Sequence, residues 1–154
     1  MIAIIDYGVG NLFSLKSSLA AIGREAVVTG DRAVLRAASH VILPGVGAFG
    51  DAAARLRAAG MAEAVLEAAA AGKPVLGICL GMQLLLERSF EYGEHPGLGL
   101  IPGEVRPIRD VIPAGLAVPH MGWNALRFPA ERPRSPIFAA LEEGEHVYFV
   151  HSYA

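Results

Sequence analysis

Between Met1 and Phe90, short apolar runs alternate with helical stretches, and this alternation leaves few folds open. The runs are Ile2–Ile5, Ala26–Thr29, Val41–Leu43 and Pro74–Ile78. Each is apolar throughout rather than on alternate residues, the pattern of parallel strands covered on both faces. Helical stretches lie between them. Asn11 can cap a helix carrying Leu12, Leu15, Leu19 and Ile22 on one face, with Gly23 as its stop. Asp31 can cap a second helix through Ala37. Asp51–Ala59 and Met61–Ala71 are each closed by a glycine, and Leu80–Arg88 reads as a further helix. The prediction is a three-layer α/β domain with an open, mostly parallel sheet flanked by helices. Its functional site belongs beyond the carboxyl ends of the strands.

After Phe90, Pro and Gly recur and helical periodicity fades. Val105–Ile108, Leu116–Pro119, Asn124–Phe128 and His146–Val150 read as short strands, and Pro136–Leu141 as a helical turn. These suggest mixed or antiparallel additions at a sheet edge. No composition break marks a domain boundary, so residues 1–154 read as one domain. An apolar fraction of 53% is too high for a disordered chain. A net charge of −2 offers no basic field for nucleic acid. No apolar run is long enough to span a membrane, and Met1–Asp6 has no basic region of a signal peptide. The single cysteine excludes an internal disulfide and fits a cytoplasmic setting.

That cysteine lies in Gly77-Ile78-Cys79-Leu80-Gly81, after a predicted strand and before a predicted helix. This is the context of a nucleophile elbow, where two glycines permit a tight turn that lifts the central side chain above the sheet. A thiol at a helix N-terminus is favoured as thiolate, and the Leu80 N–H would point where an oxyanion develops. Pro44-Gly45-Val46-Gly47-Ala48-Phe49 ends the third strand and could lie beside the elbow as a second oxyanion donor, or be a plain turn. Gly8-Val9-Gly10-Asn11-Leu12-Phe13 matches only half a dinucleotide fingerprint, because Phe13 stands where the third glycine belongs. A cysteine nucleophile needs a base. His40 and His146 begin apolar runs and read as structural. His95 reads as a loop residue, while His120 and His151 are candidates. No metal-ligand spacing occurs, and no cofactor is implied. Trp123, with His120, Met121 and Asn124, reads either as a core tryptophan in a strand pair or as an interface patch.

These stretches occur together with Pro119-His120-Met121-Gly122-Trp123-Asn124 and Tyr148-Phe149-Val150-His151-Ser152-Tyr153. In that order they resemble the class I (triad) glutamine amidotransferases, and among them the glutaminase subunits of imidazole glycerol phosphate synthase. The elbow carries the wider family, and the PHMGWN stretch points to this branch. The resemblance implies hydrolysis of L-glutamine to glutamate and ammonia. The ammonia passes to a (β/α)₈-barrel cyclase subunit, in a heterodimer serving histidine biosynthesis. It further implies that Cys79 attacks the glutamine amide to form a thioester. Leu80 and the Val46-Gly47 peptide would be the oxyanion donors, the latter after reorientation. Gly47, Gln83, Ser152 and Tyr153 would contact glutamine. Asn11, His120, Met121, Trp123 and Asn124 would face the cyclase.

The sequence departs from that family in one respect. The family's base and its orienting acid lie in a His-Pro-Glu stretch beyond the HSY segment, and these 154 residues contain none. His95-Pro96-Gly97 lacks the acid and lies elsewhere, and His151 matches the HSY position, not the base. The expectation is an amidotransferase domain incomplete at its C-terminus, lacking the last strands and closing helix and inactive alone. Two alternatives stand beside it. One is a non-catalytic fragment docking a partner through the Trp123 segment. The other is a different cysteine hydrolase using His120 or His151.

Overall fold

A computed structural model describes residues 1–154, which fold as two compact units, Met1–Arg106 and Pro107–Ala154. The first unit is built on strands β1 (Ile2–Ile5), β2 (Ala26–Thr29), β3 (His40–Leu43) and β4 (Val75–Gly77). All are parallel, in the order β2-β1-β3-β4. Helix α1 (Leu12–Ala21) links β1 to β2, and α2 (Arg32–Ala37) links β2 to β3. Helices α3 (Phe49–Ala58) and α4 (Met61–Ala70) both lie between β3 and β4. The short α5 (Leu80–Leu84) follows β4.

The step from β1 to β2 runs opposite to the later steps. Right-handed crossovers therefore put α1 on one face and α2, α3 and α4 on the other. On the latter face Leu35, Ala52, Ala53, Leu56, Met61, Val65 and Ala68 are buried. The many alanines let α3 and α4 approach each other closely. Helix α1 buries no residue completely. Ile22 falls outside it as the C-cap, because the Arg24 and Gly23 N–H groups close the helix on the Leu19 and Ala20 carbonyls. Strands β1 and β3, at the centre, carry the most buried side chains, including Ile4, Ile5, Val41 and Leu43.

Several of the sequence-based boundaries move. Helix α3 begins at Phe49 rather than Asp51. Helix α5 ends at Leu84, short of Arg88. There the carbonyls of Leu84, Leu85 and Leu86 accept from Leu98, Leu100, Ile101 and Gly99, so the 97–101 segment replaces the next helical turn. The later strands do not extend the parallel sheet. Arg88–Ser89 (β5), His95–Pro96 (β6) and Glu104–Val105 (β7) form a separate three-stranded sheet in the order β6-β5-β7.

In the second unit, β8 (His120–Ala125) and β9 (His146–His151) pair antiparallel with each other. Strand β8 begins four residues earlier than the sequence suggests, and Leu126 continues the pairing through Glu145 and Gly144. Leu116–Pro119 forms no strand: Leu116 turns back on Pro113, and Pro119 has no N–H to give a ladder. Ile108–Asp110 and Pro136–Phe138 are 3₁₀ turns. No helix of the protein is long and apolar enough to cross a membrane.

Candidate active site

Strand order reverses direction at β1, so the crevice beyond the carboxyl ends of β1 and β3 is where an α/β sheet of this kind binds ligands. Three loops meet there. The first follows β1, and its buried Tyr7 hydroxyl donates to the Pro44 carbonyl at 2.8 Å. Burial pushes the Tyr7 phenol up to about 12. Gly10 is also against this proline, since a Cβ there would lie 3.0 Å from Pro44 Cβ. The second loop, Pro44–Ala48, follows β3. The third is the turn from β4 into α5, and it carries Cys79.

Cys79 has φ 55° and ψ −120°, a conformation that non-glycine residues adopt at a cost. The flanking glycines make it possible. A Cβ at Gly77 would lie 2.5 Å from Met82 Cα, and one at Gly81 would penetrate the Leu43 carbonyl. Gly77 therefore lets α5 sit directly above β4, and Gly81 lets α5 lie on the end of β3. The thiol that results is free and exposed. The next N–H, that of Leu80, donates to no group of the chain, whereas those of Gly81, Met82 and Gln83 turn back on Ile78 and Cys79. Gln83 follows one helical turn after Cys79 and is half-buried.

The Pro44–Ala48 loop lies against this elbow, because a Cβ at Gly45 would stand 2.7 Å from the Gly81 nitrogen. Val46 is exposed, and Gly47 has φ +87° with nothing around its Cβ position. The Val46-Gly47 peptide is thus the exposed part of the loop, while Pro44 and Gly45 pack against Tyr7, Gly10 and the elbow.

Asn11 caps α1, its Oδ1 accepting from the Ser14 N–H at 3.2 Å. The remaining sequence-predicted residues lie in the second unit. Strand alternation divides the Trp123 segment between two faces. Met121 and Trp123 share one with Tyr148 and Val150, while His120 and Asn124 share the other with Phe149 and His151. The tryptophan is 68% exposed, so it is not a core residue, and its ring meets Tyr148 edge-on at 5.5 Å. His120 and His151 pair across the strands with rings 5.5 Å apart, and His151 Nδ1 lies 3.0 Å from the Tyr153 carbonyl oxygen. Ser152 and Tyr153 are half-buried, the Ser152 carbonyl accepting from Ile108 N–H at 2.9 Å. No three His, Cys, Asp or Glu gather where they could hold a metal ion.

Sequence reasoning missed Glu91. Its Oε2 accepts the Phe49 N–H at 2.6 Å, at the start of α3 and directly after the Pro44–Ala48 loop. The available signal was negative: Ala48, the N-cap, has no side chain able to cap a helix.

Comparison with known proteins identifies the family and the fold. Residues 3–154 match the family Glutamine amidotransferase class-I. The chain is 53% identical over 154 residues to the imidazole glycerol phosphate synthase subunit HisH of Sulfurimonas denitrificans, with 99% of this chain and 72% of that one covered. It is 49% identical to the HisH subunit of Aquifex aeolicus, covering 97% and 70% respectively. A solved glutamine amidotransferase superposes with a TM-score of 0.71 at 19% identity, over 97% of this chain and 71% of its own. By its sequence, the chain belongs to the class-I glutamine amidotransferase family.

Proposed function

We propose that this chain is the glutaminase subunit of an imidazole glycerol phosphate synthase, acting in the cytoplasm and delivering ammonia to a cyclase subunit within a heterodimer. The observation that carries the reading is Cys79, presented at positive φ between β4 and α5 beside the unengaged Leu80 N–H. Relatives about half identical in sequence bear that subunit name.

The Cys79 sulfur attacks the side-chain amide carbon of glutamine. An S–C bond forms, and the carbonyl electron pair moves onto oxygen. Leu80 N–H and the Val46-Gly47 peptide stabilise that oxyanion, the term that commonly dominates acyl transfer. Collapse breaks the C–N bond. The nitrogen takes the proton that the thiol gave up and leaves as ammonia. Water then cleaves the thioester to glutamate and restores the thiol. Gly47, Gln83, Ser152 and Tyr153 are assigned to glutamine. Asn11, His120, Met121, Trp123 and Asn124 are assigned to the cyclase, with Met121 and Trp123 as the exposed anchors.

These 154 residues contain no His-Pro-Glu stretch to supply base and acid. With cyclase present, the chain is expected to release ammonia at least ~10³-fold more slowly than a relative containing one. A rate equal to that relative's would refute the dependence on that base. The nucleophile is tested separately, with 6-diazo-5-oxo-L-norleucine as a glutamine-like electrophile. Peptide mass analysis should find Cys79 modified, glutamine should protect it, and Cys79→Ser should remain unlabelled. Labelling by iodoacetamide but not by the glutamine analogue would sink the glutaminase reading. The exposed Met121, Trp123, Tyr148 and Val150 face favours one further reading, a docking fragment without chemistry. Failure to label, together with tight cyclase binding, would support it.

A further inference from the structure

We draw no further inference here: the strongest candidate, the apolar groove of the second unit lined by Ile108, Val111, Ile112, Leu116 and Met121, is an unpartnered face, and nothing in the structure shows what covers it.

Discussion

The two units are held together by different means. Met1–Arg106 has a continuous core in which Phe49, Ile4, Ile5, Leu43, Leu56 and Val65 are almost wholly removed from water. In Pro107–Ala154 the only buried apolar side chain is Ile108. Its two strands are joined by a six-pair ladder whose outer positions show Met121, Trp123, Tyr148 and Val150 to solvent. Backbone pairing gives the second unit its shape, but an isolated two-stranded ladder is marginal in water. The first unit is held by side-chain burial, where a single atom too many is felt. The second leaves its large side chains exposed.

Changes at buried contacts of the first unit should therefore have the largest effects. Gly81→Ala drives a methyl into the Leu43 carbonyl, where neither backbone can yield. It should cost about 4 kcal/mol or prevent folding, as read by urea denaturation. A loss under about 1 kcal/mol would show that the elbow can relax, weakening the contrast at its root. Tyr7→Phe comes next. It leaves the Pro44 carbonyl without its buried donor and should cost about 1–2 kcal/mol. It also carries a pH signature. The phenol is raised above its ordinary 10.0 to about 12, so the folded state holds this proton more tightly than the unfolded chain does. The stability tied to that proton is complete below pH 10 and is lost as the pH rises towards 12. Tyr7→Phe should flatten that decline, and an unchanged alkaline profile would remove Tyr7 as its source. The smallest effect on stability belongs to the largest side chain. Trp123→Ala gives up an exposed ring and one edge-on contact with Tyr148, so it should cost about 1 kcal/mol or less. On the proposed interface, its effect should fall on cyclase affinity instead, by about 2 kcal/mol in a binding titration. If stability falls more than affinity does, Trp123 belongs to a core after all, and the contrast between the units fails.

The same difference explains what was legible in the sequence. The four parallel strands were visible as apolar runs because both their faces seek cover, and Asn11 and Asp31 marked helix starts that the structure retains. The elbow was legible because its two glycines are required by contacts local to the turn and the adjoining strand end. Glu91 was not legible. Its hydrogen bond joins it to Phe49, 42 residues away in sequence, and no short pattern encodes that. The early start of α3 at Phe49 was missed for the same reason. In the second unit, half-exposed strands carry weak periodicity. The Trp123 segment reads as one cluster in sequence but splits between opposite faces once it is extended.

Cys79 holds a backbone conformation that a glycine would adopt freely. Cys79→Gly should raise the midpoint of thermal unfolding, by an amount corresponding to about 1 kcal/mol, while removing the only thiol in the chain. Selection for robustness alone would favour glycine over this residue. A lineage released from the reaction would be expected to drift toward glycine at position 79, whereas one still using it keeps a sulfur at the strained corner. Which residue stands there is a record of whether the chemistry is still wanted.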